Sequence, residues 1–223
     1  MYAINKNLKY AIFLLIILLF THCNKSASIY QSEDPAAKIK VFNLGIKGNT
    51  AADLLGRIND VVNLHPDLVI IMIGTNDSKP GSLSVDSYDT NLALIISKIM
   101  SASSAVMLLT PPPLIADNTK KRQDLLSALR DQMDSIGKVN NSYFIDVNDI
   151  FLKEAIATAL NSLYDSDGIH PNIDGYKLIA NAVYAYLKAG NIKVARIVCF
   201  GDSITFGVGS SKSYPAILQD LLK

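Results

Sequence analysis

Short, continuous apolar runs alternate with amphipathic segments along most of this chain, and that alternation limits the fold more than any other feature. From Lys38 onward the runs are KVFNL, DLVIIMIG, AVMLLT, YFIDV and RIVCFGDS. Between them lie segments of helical period: about 50–63, with Leu54, Leu55, Ile58, Val61 and Val62 on one side, then about 84–101, 120–137, 149–160 and 173–188. Strands without polar alternation are buried on both faces, and helices between them supply the cover. The pattern predicts an α/β fold, a three-layer sandwich with a doubly wound parallel sheet. RIVCFGDS closes the strand series, and no element is assigned after it. At 24.2 kDa, with 49% apolar residues, the chain suffices for one well-cored domain.

The first 37 residues do not fit the alternation. Lys6 and Lys9 precede an apolar run from Tyr10 to Phe20, too short for the roughly 20 residues of a spanning helix. Residues 1–23 therefore read as an export signal. Cys23 directly after LLFTH resembles the acylated cysteine of a bacterial lipoprotein signal, with His22 where a small residue is usual. Ordinary secretion and a retained anchor are the alternatives. Residues 24–37 read as a flexible tether and 38–223 as the folded domain. The expected location is the cell envelope, with membrane contact only through the N-terminal anchor. A net charge of +1 without a basic stripe excludes a nucleic-acid partner.

Loops at the carboxyl ends of parallel strands collect functional residues. Here those loops are GIKGNT, TND, PPP and GDSIT. Neither a G-x-G-x-x-G fingerprint nor a Walker-type G-K-[ST] is present, which disfavours nucleotide binding. A serine in the last of these turns, Ser203, needs a base. Of the three histidines, His22 leaves with a cleaved signal, and His65 precedes a strand at the opposite edge of the sheet. His170 remains, with Asp167 three residues before it, close enough to orient its ring. A helix cap beside a surface histidine is the bland alternative for that pair. Asp202 and Asp146 are read as structural. Thr110–Pro113 form either a wall of the site or only a stiff loop, and Cys199 is a small buried hydrophobe.

Four blocks together resemble those of the SGNH (GDSL-type) hydrolases: GDSITFG at 201–207, NLGIKGNT at 43–50, GTND at 74–77 and DGIH at 167–170. The resemblance implies Ser203 as nucleophile, His170 as base and Asp167 as its orienter. It also implies an oxyanion hole formed by the Ser203 and Gly48 N–H groups and the Asn76 amide, with no metal or cofactor. The implied activity is hydrolysis of short-chain or O-acetyl esters through an acyl-enzyme, on a small-molecule or carbohydrate substrate. A lysophospholipase or thioesterase of the same family, or a silent carbohydrate-binding or scaffolding module, is the alternative. The nucleophile block normally comes first in this family; here it comes last, as in a circular permutation. The family's five-stranded, flavodoxin-like order 2-1-3-4-5 then places RIVCF between KVFNL and DLVIIMIG. A monomer is expected, with exchange of residues 194–223 between two copies as the competing outcome.

Overall fold

The computed structural model describes residues 38–223 except 83, 117 and 118; the expected signal, Cys23 and the tether lie outside the described residues. Five strands form one parallel sheet: β1 (Lys40–Gly45), β2 (Leu68–Met72), β3 (Ala105–Leu109), β4 (Tyr143–Ile145) and β5 (Arg196–Gly201). Their order is β1-β5-β2-β3-β4. The last strand in sequence thus occupies the position expected for it, between the first two. Lys40 to Gly45 pair with Arg196 to Gly201, and Leu68 to Met72 pair with Ile197 to Gly201. Asp67 fixes the start of β5, its Oδ2 accepting from the N–H groups of Ala195 and Arg196 at 2.7 Å each.

Successive strand residues point to opposite faces, so each continuous apolar run feeds two cores. One core joins Leu68, Ile70, Met107, Ile197 and Cys199 to α5 (Val147–Ala157), α6 (Ile173–Ala189) and α8 (Tyr214–Leu221). The other joins Val69, Ile71, Leu108, Val198 and Phe200 to α1 (Ala51–Gly56), α2 (Ile58–Val62), α3 (Val85–Ser101) and α4 (Lys120–Val139). Most helices begin at a side chain suited to satisfy their free amides. Thr50 and Asp53 form a capping box on α1; Ser84, Thr119, Asp146 and Asn172 cap α3, α4, α5 and α6.

Three elements differ from the expectations. The helix expected over 50–63 is broken at Arg57, where φ is −117° and ψ 23°. The arginine side chain turns to the sheet instead: Nη2 donates to the Leu44 and Gly201 carbonyls at 2.9 and 3.0 Å, and Nε donates to Asn49 Oδ1 at 2.7 Å. It thereby clamps the carboxyl ends of β1 and β5. The helix expected over 149–160 runs from Val147 to Ala157 and is followed by a 3-10 turn at Leu160–Leu163.

The third difference is the helical structure after β5. A short α7 (Ser203–Phe206) and then α8 follow the strand. α8 packs Tyr214 and Leu218 into the core, and its Gln219 covers the outer edge of β1. Gln219 Oε1 accepts from the Val41 N–H at 2.8 Å, and its Nε2 donates to the Ile39 carbonyl at 2.9 Å. An edge strand exposes unpaired backbone groups, and these two bonds satisfy part of that row. Among the described residues no helix is long and apolar enough to cross a membrane.

Candidate active site

The carboxyl ends of β1, β5 and β2 bring three of the four sequence blocks together, and the loop before α6 supplies the fourth. β5 ends at Gly201, Asp202 caps the next turn by accepting from the Ile204 N–H at 2.9 Å, and Ser203 becomes the first residue of α7. The serine is buried at 8% exposure. Its Oγ lies 2.8 Å from His170 Nε2, and His170 Nδ1 lies 2.5 Å from Asp167 Oδ2. The other carboxylate oxygen of Asp167 accepts from the Ile169 and His170 N–H groups at 2.9 Å each. The loop therefore fixes the carboxylate, and the carboxylate fixes the ring. Partial burial pushes Asp167 upward, but these bonds from His170 and Ile169 outweigh it and hold the carboxyl below its usual range. An ionised Asp167 on Nδ1 leaves Nε2 able to accept the serine proton. The surface-histidine alternative fails here, because the His170 side chain is only 16% exposed and bonded at both ring nitrogens.

Gly48 and Asn76 line the same cleft as Ser203 and His170. Gly48 has φ +83°, and an added Cβ would meet nothing within 4 Å, so its backbone conformation rather than crowding calls for glycine. Among the described residues neither the Gly48 nor the Ser203 N–H reaches an acceptor, which leaves both amides available to an anionic oxygen. Asn76 Nδ2 donates to the Asn49 carbonyl at 3.0 Å and lies 3.5 Å from Asp202 Oδ2. One of its two protons holds the glycine loop in place, and the other is only loosely engaged.

The remaining candidates take supporting places. His65 is exposed, next to the amino end of β2, away from this cleft. Asp146 Oδ1 accepts from Thr110 Oγ1 at 2.9 Å and from the Asp149 N–H at 3.0 Å, a structural role. Thr110–Pro113 do not line the cleft. They brace the histidine loop from behind, where Tyr164 Oη donates to the Pro113 carbonyl. Cys199 is a free, fully buried thiol, pushed up to about 12 by burial.

Three further residues stand near the site. Asp77 Oδ1 accepts from the Ala51 N–H at 2.9 Å, tying the β2 loop to the start of α1. Burial pushes Asp77 up to about 6; burial, helped by the charge of Asp77, pushes Asp202 up to about 7 against the bond from Ile204. Arg122 is buried at 2% exposure on the cleft wall, donating to the Thr75 carbonyl at 3.2 Å and to Ser78 Oγ at 3.4 Å. Its position in KKRQDLL gives no hint of burial. Among the described residues no group of three or more His, Cys, Asp or Glu side chains has metal-binding geometry.

Residues 22–178 match the GDSL-like Lipase/Acylhydrolase family. The chain belongs to that family. An acetylxylan esterase from Geobacillus stearothermophilus is 27% identical over 164 residues, covering 69% of this chain and 74% of the relative. The solved structure of an acetylxylan esterase from the same organism superposes with a TM-score of 0.57 at 25% identity, covering 67% of this chain and 71% of that one. A lipase/acylhydrolase from Enterococcus faecalis gives 0.57 at 27% identity, covering 64% and 72%. The chain is accordingly a carboxylic ester hydrolase with the α/β fold of that family.

Proposed function

We propose that this hydrolase uses Ser203 as nucleophile, His170 as general base and Asp167 as the residue that orients and stabilises the imidazole. The observation that carries this reading is the continuous chain of contacts from Asp167 Oδ2 through His170 to Ser203 Oγ, at 2.5 and 2.8 Å. Ser203 Oγ attacks the ester carbonyl carbon as its proton passes to His170 Nε2. The negative charge moves to the carbonyl oxygen, which accepts from the Gly48 and Ser203 N–H groups and the Asn76 amide. Collapse expels the alcohol with the proton from His170 and leaves an acyl-serine. Water then gives its proton to His170, attacks the acyl carbon and releases the carboxylic acid as Ser203 regains its proton.

The proposed substrates are short-chain or O-acetyl esters of a carbohydrate or small molecule. The acetylxylan esterases among the relatives support this class, as does a cleft of only about 220 Å³. The proposal includes a circular permutation: the family match ends at residue 178, before Ser203, and β5 nevertheless sits between β1 and β2. It also includes export and acylation at Cys23.

Turnover of p-nitrophenyl acetate tests the reading. Ser203→Ala loses at least about 10³ in kcat with unchanged circular dichroism, and adding His170→Ala costs little more, because the residues act as a unit. Retention of most turnover by folded Ser203→Ala overturns the assignment.

A further inference from the structure

Arg57 interrupts a helix to lay its guanidinium against the carboxyl ends of β1 and β5, half-buried, with Cζ 4.4 Å from the centroid of the Phe200 ring. Its three acceptors share one feature. The Leu44 carbonyl stands four residues before Gly48, the Gly201 carbonyl two residues before Ser203, and Asn49 Oδ1 belongs to the residue that follows Gly48. The main-chain carbonyl of Asn49 accepts in turn from Asn76 Nδ2 at 3.0 Å. One side chain therefore fastens the segments that carry the Gly48 and Ser203 N–H groups, and it is linked to the Asn76 amide through a single intervening residue.

The Gly48 loop is the segment that most needs such a fastening. Ile46, Lys47 and Gly48 are all exposed, so burial does little to hold them, and a Cβ at Gly48 would meet nothing within 4 Å. Hydrogen bonds hold the loop instead: the Ile46 N–H donates to the Gly201 carbonyl at 3.1 Å, and Asn49 joins the loop to both Arg57 and Asn76. The Gly201 carbonyl thus accepts from the loop and from Arg57 together. Oxyanion donors are effective only when preorganised around the developing charge, and a misplacement near 1 Å costs about 10² in rate. Arginine suits the place because its planar fork presents several N–H groups in fixed directions, whereas lysine is a point donor on a flexible stem. Resting on the esterase reading, we infer that Arg57 is a positioning residue for the oxyanion hole, holding the Gly48 loop against the Ser203 turn so that the donors converge.

Kinetics on p-nitrophenyl acetate, read beside a thermal melt, test this role. Arg57→Ala lowers kcat by about 10²-fold and leaves KM within about threefold, because the donors act on the transition state rather than on the bound ester. Arg57→Lys, which keeps the charge without the fork, still loses about tenfold in kcat and carries the test if Arg57→Ala does not fold. An arginine with a structural role alone would lower Tm and leave kcat of the folded protein unchanged. The losses also couple: a hole that already lacks the Asn76 amide has less to lose, so the effect of Arg57→Lys shrinks by at least about threefold in the Asn76→Ala background. Wild-type kcat in folded Arg57→Lys, a loss confined to KM, or losses that multiply in full with Asn76→Ala overturn the inference while the esterase reading stands. Failure of the wild-type enzyme to turn over the ester, or a folded Ser203→Ala that keeps its turnover, overturns both.

Discussion

Gly45→Ala tests whether the end of β1 and the serine turn are as tightly joined as the structure shows. A Cβ on Gly45 would lie 2.1 Å from the Phe206 nitrogen, 2.6 Å from the Thr205 carbonyl carbon and 2.7 Å from Phe206 Cα. All three are backbone atoms of α7, so no side-chain rotation relieves the clash. Ordinary contact begins at 3.4 Å, and the two segments must therefore separate by about 1.3 Å. Gly45 pairs with Gly201 two residues before Ser203, and it leads directly into the Gly48 loop. Separation moves either the serine or an oxyanion donor. Overpacking of this kind costs about 1–3 kcal/mol, which for a domain of this size lowers Tm by about 2–12 °C. A misplacement near 1 Å lowers kcat/KM by about 10²-fold. The assay pairs a thermal melt with p-nitrophenyl acetate kinetics. Gly56→Ala is the control: a Cβ there meets nothing within 4 Å, at the end of helix α1, and Tm and rate stay close to wild type. A Gly45→Ala enzyme with wild-type Tm and kcat/KM would refute the packing argument.

Two further predictions concern protons. Asp167→Asn lowers kcat by about 10³–10⁴ because the amide no longer enforces the tautomer of His170 that accepts the serine proton; an Asp167→Asn enzyme within tenfold of wild type contradicts that role. Asp202, whose pKa rises from an unfolded value near 3.8 to about 7, favours the fold when protonated. That contribution is complete below pH about 3.8 and is lost as pH rises through about 7. Asp202→Asn retains an Oδ1 acceptor for the Ile204 N–H, so its Tm relative to wild type increases between pH 4.5 and pH 8. A decrease across that range contradicts the burial argument.

The fold was legible in the sequence where burial was two-sided. LVIIM and IVCF are apolar at every position because both faces of the sheet are covered, and Ser84 and Thr119 mark their helix starts as capping residues do. The insertion of β5 between β1 and β2 came from the family resemblance; no local pattern encodes which strands become neighbours. The break at Arg57 was hidden because its apolar neighbours keep helical spacing across it, and what pulls the arginine away is a pair of carbonyls 13 and 144 residues distant in sequence. α8 was legible and unassigned: Ser213 at its N-cap, Pro215 in its first turn and the spacing of Ile217, Leu218, Leu221 and Leu222 form a helix signature. At the site, the His170 and Ser203 pairing followed from elimination and motif. Arg122 did not, since an arginine among lysines at a helix start reads as solvated until the fold buries it.

Labelling with a fluorophosphonate tests the central claim most directly, because such a reagent reacts with a serine that an adjacent base activates. Intact mass spectrometry should show one adduct per chain, and tryptic mapping should place it in the peptide 197–212, on Ser203. The adduct should be absent from Ser203→Ala and strongly slowed in His170→Ala. An adduct on a different serine, or rapid labelling that persists in Ser203→Ala, would contradict the assignment of Ser203 as the nucleophile.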